Sequence, residues 1–472
     1  MSPLWTSTDA LAALGGTASG GDWNATGISI DSRTVEAGDI FFAIVGPRFD
    51  GHEFVAAALE KGAAAAVVNR RPAALPAGAA IVEVDDTLAA LERLGAAARA
   101  RTGARVVAVT GSVGKTGVKE TLKRVLTAYG ATHASPGSFN NHWGLPLTLA
   151  RMPADTAFAV LELGMNHPGE LTPLSRLARP HIALITTIAA THIGNFDSLD
   201  AIADAKAEIF AGVEPDGWVL LNRDNAYYDR LARKACGAGV RHIMAFGENE
   251  HARVRLALME LKPDSCHVEA DIRGRKLAWD IGCAGAHWAK NSLAVMGVVD
   301  LLGLDPAPAI AALAGMTPPK GRGERAAIAI PGGEITLIDD SYNASPVSMR
   351  AAFDVLAGAD VGTGGRRIAV LGDMLELGPL AEAEHRALAG EITSRNIDLT
   401  YTCGPSMRAC SRALPTERRG GHEADSTALA PRLVAALRPG DTVLVKGSLG
   451  SRMAVVVEAI RNIKAPLAAN GS

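Results

Sequence analysis

The sequence predicts an α/β chain of three units. A smaller α/β N-terminal unit comes first. A central P-loop-type, mainly parallel sheet follows, and then a Rossmann-like doubly wound C-terminal unit. Three observations predict this. The chain has 472 residues, room for roughly three domains. An apolar strand, a glycine loop and a helix follow one another between Val106 and Glu120. Short apolar runs alternate with helical stretches both before and after the Pro318-Pro319 pair, the pattern of parallel sheets wrapped by helices. The units are therefore placed at 1–100, 101–319 and 320–472.

Composition narrows the class. Hydrophobic residues make up 48%, enough for several cores. The net charge of −3 creates no global field for nucleic acid or an anionic membrane. The first basic residue is Arg33, polar residues break up Trp5 to Leu14, and no apolar run is long enough to span a bilayer. The five cysteines have no C-x-x-C spacing, as expected of free thiols in a reducing compartment. A cytoplasmic protein without membrane insertion is expected.

In the first unit, Ile28 to Ser32, Ile40 to Val45, Ala64 to Val68 and Ala80 to Val84 read as strands, with Glu53 to Lys61 helical. Two polar turns stand at strand ends: Asp31-Ser32-Arg33, and Gly46 to His52 with Asp50 and Gly51. Their basic and hydroxyl groups suit a diphosphate or a sugar. A capped surface turn with a solvated arginine accounts for them as well.

The central unit is organised around T-G-S-V-G-K-T, Thr110 to Thr116. Val106 to Val109 reads as a buried strand, and the helix opens at Lys115. Such a loop turns backbone N–H groups and a helix N-terminus toward phosphate. Gly111, Ser112, Val113 and Gly114 would cradle it. Lys115 would reach the outer phosphates and the Thr116 hydroxyl would touch Mg²⁺. Val109 stands where the strict P-loop spacing wants glycine, so Gly111 must make the turn.

Further strands are expected at Phe158 to Leu163, Ile182 to Thr187 and Trp218 to Leu221. Ligands bind beyond the carboxyl ends of such strands. Glu162 lies there on an apolar strand, where a carboxylate needs a partner or a metal. His192 follows the next strand. With Thr116 these could converge on Mg²⁺, although a capping histidine is an equal reading. Lys206 falls on the apolar stripe of the helix Asp200 to Phe210, four residues after Ile202. A lysine there must snorkel, pair with a carboxylate or be chemically changed. His287 and Asn291 share a face at the start of the next helix. The Asn291 amide could read a base edge or act as a cap. Arg322, in the connector after Pro319, is placed to reach a phosphate when units close.

In the third unit, strands are expected to end at Asp339-Asp340, Leu371-Gly372-Asp373, Cys403-Gly404 and Val445-Lys446-Gly447. Each precedes a helix: Val347 to Leu356, Ala381 to Ser394, Met407 to Leu414 and Ser451 to Ile463. The loops holding Asp340, Tyr342, Asn343 and Lys446 are dense in hydrogen-bonding groups.

Taken together, T-G-S-V-G-K-T, E162-L-G-M-N-H-P-G-E170, Thr186-Thr187 with His192, A205-K-A-E-I-F210, His287 with Asn291, D339-D-S-Y-N-A-S-P346 and L371-G-D-M-L-E-L-G378 resemble the Mur ligases, over nearly the whole chain. The resemblance implies an ATP-dependent amide ligase of peptidoglycan precursor synthesis. Its substrates would be UDP-MurNAc-tripeptide and D-Ala-D-Ala, its cofactors ATP and Mg²⁺, and its state a monomer. The implied metal set is Thr116, Glu162, His192 and a carbamylated Lys206, with Lys115 catalytic. Asn291 would read adenine, Asp340 the ribose, and Arg322 the ATP. Ser32, Arg33, Asp50, Gly51 and His52 would hold the nucleotide sugar. The resemblance implies that Asn140 and Asn141 would form a substrate loop and that Tyr342, Asn343 and Lys446 would contact substrate. Ser345 and His142 depart from the family pattern. Another amino-acid-adding relative or a folylpolyglutamate synthase, and from other classes a P-loop kinase, a nucleotide-driven switch or a binding module, remain as alternatives.

Overall fold

The computed structural model describes residues 3–46, 49–191 and 193–463. Its strands form sheets of nine, six and five, plus a two-stranded pair, Trp5–Thr6 with Asn24–Ala25. The five-stranded sheet belongs to the first unit. Gly27–Ser29, Asp39–Phe42, Ala65–Val68 and Ile81–Glu83 run parallel, and Thr17–Ser19 closes the edge antiparallel. The strands Asp39–Phe42 and Ala65–Val68 are buried at every position, as expected of parallel strands covered on both faces.

The nine-stranded sheet carries the glycine loop. Arg105–Thr110 pairs in parallel with Phe158–Glu162 on one side and Ile182–Ile185 on the other. Glu162 pairs with Val109, and Ile185 with Thr110. This register brings Glu162, Thr110 and the segment after Ile185 to one sheet edge. The helix Lys115–Thr127 packs back on the sheet through Val118, Leu122, Val125 and Leu126, all fully buried.

Beyond the expected alternation, the central sheet ends in three further strands: Val254–Leu261, Cys266–Ile272 and Arg275–Ile281, paired antiparallel. The turn at Arg273-Gly274 has φ of 53° and 90°, the left-handed pair of a tight hairpin. The buried indole of Trp279 donates to Ser292 Oγ at 2.9 Å. It thereby fixes this extension to the apolar helix Ala286–Leu301.

The six-stranded sheet has a parallel body, with Glu324–Ile330 antiparallel at one edge of Gly333–Asp340. Thr442–Lys446 lies between Gly333–Asp340 and Arg367–Gly372. The register sets Asp340 beside Lys446. The last helix is Ala454–Arg461, shorter than Ser451 to Ile463, because Leu449–Ser451 is a 3-10 turn and Arg452 takes φ 53°.

The first and central units share packing. Leu147 and Ala150 of the helix Gly144–Ala150 join the first unit's core. Trp5 Nε1 donates to Ala150 O at 2.9 Å, and Arg151 Nε to Ile28 O at 2.6 Å. Among the described residues no helix is long and apolar enough to cross a membrane.

Candidate active site

Gly111 makes the turn after the central strand. Its φ is 148°, and a Cβ there would stand 1.9 Å from Thr186 Oγ1. Only glycine lets the loop lie so close to the neighbouring strand end, so the shorter loop works without glycine at position 109. Ser112 locks it from the other side. Its N–H donates to Thr187 O at 2.8 Å and its hydroxyl to Ala189 O at 2.9 Å. Gly114 then takes φ 88° and begins the helix with no side-chain cap. The first-turn N–H groups are thus left for a ligand.

Lys115, half-buried, donates to Gly111 O at 2.7 Å. Burial lowers its pKa against the pull of Glu162. Thr116 Oγ1 donates to Glu162 Oε2 at 2.8 Å, and Asn140 Nδ2 to Glu162 Oε1 at 2.7 Å. Glu162 is 1% exposed, so both oxygens are oriented by partners. The segment after Ile185 includes His192, which lies outside the described residues.

Lys206 is 2% exposed, on the helix Leu199–Ala207. Burial drives its pKa well below the ordinary 10.5, and the Lys115 ammonium pushes it the same way. Among the described residues no carboxylate opposes that shift, so neither snorkelling nor ion pairing accounts for it.

Asn291 is not a cap: Gly285 occupies that position. The Asn291 amide lies against Gly114, 3.3 Å from where a Cβ would stand. Arg322 Nη2 donates to Thr116 Oγ1 at 3.1 Å, and its guanidinium lies 4.3 Å from the centre of the Tyr342 ring. Tyr342 donates to Ser138 Oγ at 2.7 Å. In the third unit Lys446 Nζ donates to Asp340 Oδ2 at 2.6 Å and to Asn343 O at 3.0 Å. Burial raises the Asp340 pKa against the pull of Lys446. Ser345 caps the helix Pro346–Ala357 through Ser348 N, so this departure has a local structural role.

The first-unit residues lie at their own strand ends, and among the described residues no hydrogen bond or ion pair joins them to the glycine loop. Arg33 is solvent-facing and paired bidentately with Asp31, and Ser32 O accepts from Lys61 Nζ at 2.6 Å. Asp50 caps the 3-10 turn Gly51–Phe54. A Cβ on Gly51 would stand 2.7 Å from Ile44 N. His52 is 7% exposed and bridges Asp50 (2.6 Å) and Asn69 N (3.2 Å). Asn69 N donates to Nε2, so Nδ1 carries the proton toward Asp50. Asp50 and Gly51 shape this turn and His52 braces it. Asn141 Oδ1 accepts from Gly144 N at 2.9 Å, opening the helix behind the substrate loop.

Three features were not read from the sequence. Lys119, on the glycine-loop helix, is fully buried and donates to Ser135 O and Gly137 O. Ser138 meets Tyr342. Gly194 N donates to Glu376 O at 3.1 Å, joining central and third units. Only the Lys119 spacing, one helical turn after Lys115, carried a signal.

A strand–glycine loop–helix with a threonine hydroxyl shared by a buried carboxylate and an arginine from the following unit defines a multi-unit phosphate-binding α/β protein. The Mur ligase middle domain matches residues 109–299, the Mur ligase glutamate ligase domain residues 321–449, and the Mur ligase family catalytic domain residues 24–99. The chain is 34% identical to the UDP-N-acetylmuramoyl-tripeptide–D-alanyl-D-alanine ligase of Bacillus subtilis, covering 93% of this chain and 94% of that protein. A crystal structure of MurF from Acinetobacter baumannii superposes with a TM-score of 0.85 at 30% identity, covering 97% of this chain and 98% of that one. MurF ligase from Thermotoga maritima in complex with ADP superposes at 0.76 with 25% identity, covering 92% and 97%. The chain belongs to the Mur ligase family.

Proposed function

We propose that this protein joins D-Ala-D-Ala to the terminal carboxylate of UDP-MurNAc-tripeptide, using ATP. The products are UDP-MurNAc-pentapeptide, ADP and phosphate. The reading is carried by one observation. The Thr116 hydroxyl at the start of the loop helix lies between buried Glu162 and Arg322 of the connector, so loop, carboxylate and third unit meet at one point. The names of the relatives support the substrates.

A carboxylate is a poor electrophile, so its oxygen first takes the γ-phosphoryl group of ATP and ADP leaves. The dipeptide amine then attacks the acyl carbon, the C–N bond forms, the C–O bond to phosphate breaks with its electrons leaving on phosphate, and the nitrogen gives up one proton. Lys115 and the loop N–H groups bind the phosphates and offset the charge of two approaching anions. Asn291 sits beside Gly114, in position for the adenine. Asp340 offers its second oxygen to the ribose. The third unit covers the loop through Arg322 and Tyr342, excluding water that would hydrolyse the acyl phosphate.

The oxygen donors Thr116 and Glu162 suit Mg²⁺, and bound Mg²⁺ would supply charge neutralisation at the phosphates. Lys206 suits carbamylation. Reaction with CO₂ needs a neutral amine, and burial favours that form. The nitrogen bonds to the carbon of CO₂ as one C=O π pair moves to oxygen, and it loses a proton; the carbamate oxygens would then be able to join that donor set, as would the His192 imidazole. The first unit holds the nucleotide sugar through Ser32, Arg33 and the turn built on Asp50, Gly51 and His52. Asn140, Asn141, Tyr342, Asn343 and Lys446 line the peptide route. The protein acts as a cytoplasmic monomer.

The test is phosphate release from ATP and Mg²⁺ with each substrate alone and with both, with mass analysis of the product. Release requiring both, with a pentapeptide product, is expected. Release without either, or a stable phosphorylated product, would overturn the reading.

A further inference from the structure

Lys119 stands outside every role assigned above, yet it is among the most completely buried charged side chains of the molecule, at 0% exposure. It lies one turn along the loop helix from Lys115 and on the same face, further from the helix N-terminus. Its ammonium donates to Ser135 O at 2.6 Å and to Gly137 O at 3.0 Å, and pairs with the Glu120 carboxylate. A buried ammonium is costly unless its protons are taken up. Here two of its acceptors are backbone carbonyls of one segment, 135–137.

That segment leads directly into the site. Ser135 Oγ accepts from the Glu162 backbone N–H at 3.3 Å. Ser138 accepts from Tyr342 of the third unit. Asn140 holds Glu162 Oε1, and Glu162 holds Thr116. Gly164, after the Glu162 strand, donates its N–H to Asn140 O at 2.8 Å. Lys119 therefore ties the helix that begins at the phosphates to the loop that carries Asn140 and Asn141.

We propose that Lys119 is a positioning residue for the nucleotide-peptide substrate. It holds residues 135–141 in register with the phosphate-loop helix, so that Asn140 can serve both Glu162 and the substrate. This rests on the ligase reading above. A residue acting this way affects binding of the tripeptide substrate more than that of ATP, whereas a general support of the fold would affect both equally.

The experiment compares Lys119→Met with the unaltered protein in the full reaction, varying ATP and UDP-MurNAc-tripeptide separately. The expected result is a KM for the tripeptide substrate raised about tenfold or more, with the KM for ATP within about threefold. In an Asn140→Ala background, Lys119→Met should add little, because both act through the same loop. If Lys119→Met does not fold, Lys119→Gln, which keeps an N–H donor for the carbonyls, carries the same comparison. Equal losses toward both substrates, additive effects with Asn140→Ala, or an unchanged tripeptide KM would overturn the proposal. An unaltered protein that makes no pentapeptide would instead overturn the ligase reading, so the two failures are distinguishable.

Discussion

Several polar residues do two jobs that sequence cannot separate. Asp50 lies in a turn that reads as a sugar site, yet its carboxylate is occupied by its own neighbours. The His52 backbone N–H, then the His52 ring and the Arg70 guanidinium, hold its pKa near 2, below the ordinary 3.8. A carboxyl with a depressed folded pKa stabilises the protein above its unfolded value, and that contribution is lost as pH falls through the folded value. The unaltered protein should therefore exceed Asp50→Asn in stability at neutral pH. The difference should shrink as pH falls from 3.8 toward about 2, as followed by chemical denaturation across pH. A gap that does not change with pH would show that Asp50 acts through packing alone.

At the scale of elements, the helix Leu199–Ala207 buries Ile202, Ala203, Ala205, Lys206 and Ala207. Periodicity already places Lys206 on the buried stripe. What periodicity leaves open is whether an anion waits there, and among the described residues none does. Lys206 should accordingly carry a carbamate in protein kept near neutral pH with bicarbonate. Native mass analysis should find the mass of one CO₂ that Lys206→Met lacks. Ligase activity should fall in that variant by about a hundredfold or more, the scale of a lost electrostatic group at a phosphoryl centre. Full activity of Lys206→Met would refute the assignment. The antiparallel extension 254–281 is a second element-scale lesson. Apolar residues alternate along Cys266–Ile272, and Arg273-Gly274 marks the turn that follows, but helix–strand alternation does not encode an antiparallel meander. Trp279 makes the extension part of the site's support, by bracing the helix that carries Asn291.

At the scale of the molecule, the third unit meets the central unit around the loop through Arg322, Tyr342 and the segment at Gly194. The backbones of the central and third units approach closely at Gly194 and Gly378. A Cβ on Gly194 would stand 3.0 Å from Gly378 N, 3.2 Å from Glu376 O and 3.2 Å from Gly378 Cα. These nearest atoms belong to the third unit, and Gly194 is not among the positive-φ glycines. Gly194→Val should leave the central unit's own packing intact, with stability within about 0.5 kcal/mol. It should oppose closure, lowering kcat by about tenfold or more. Small-angle scattering with ADP and substrates should show less compaction than in the unaltered protein. Unchanged turnover and compaction would mean that the closed arrangement does not depend on this approach.

The sequence by itself determined the fold class, the parallel character of the central and third units, and the phosphate loop with Lys115 and Thr116. It also determined the buried placement of Glu162 and Lys206. These follow from local periodicity, from glycine at a strand-to-helix turn, and from charge on an apolar stripe, all of which act over a few residues. Only the tertiary structure decided which of these groups meet. Strand order put Phe158–Glu162 beside Arg105–Thr110, and so brought Glu162 to Thr116, 46 positions away. The packing of the third unit on the second brought Arg322 to Thr116 and Tyr342 to Ser138, 206 and 204 positions apart. Burial of Lys119 against 135–137 depends on how the loop folds over the helix, and His52 became a brace because Asn69 arrives from another strand. Such contacts are set by sheet register and the packing of units, which no local pattern encodes.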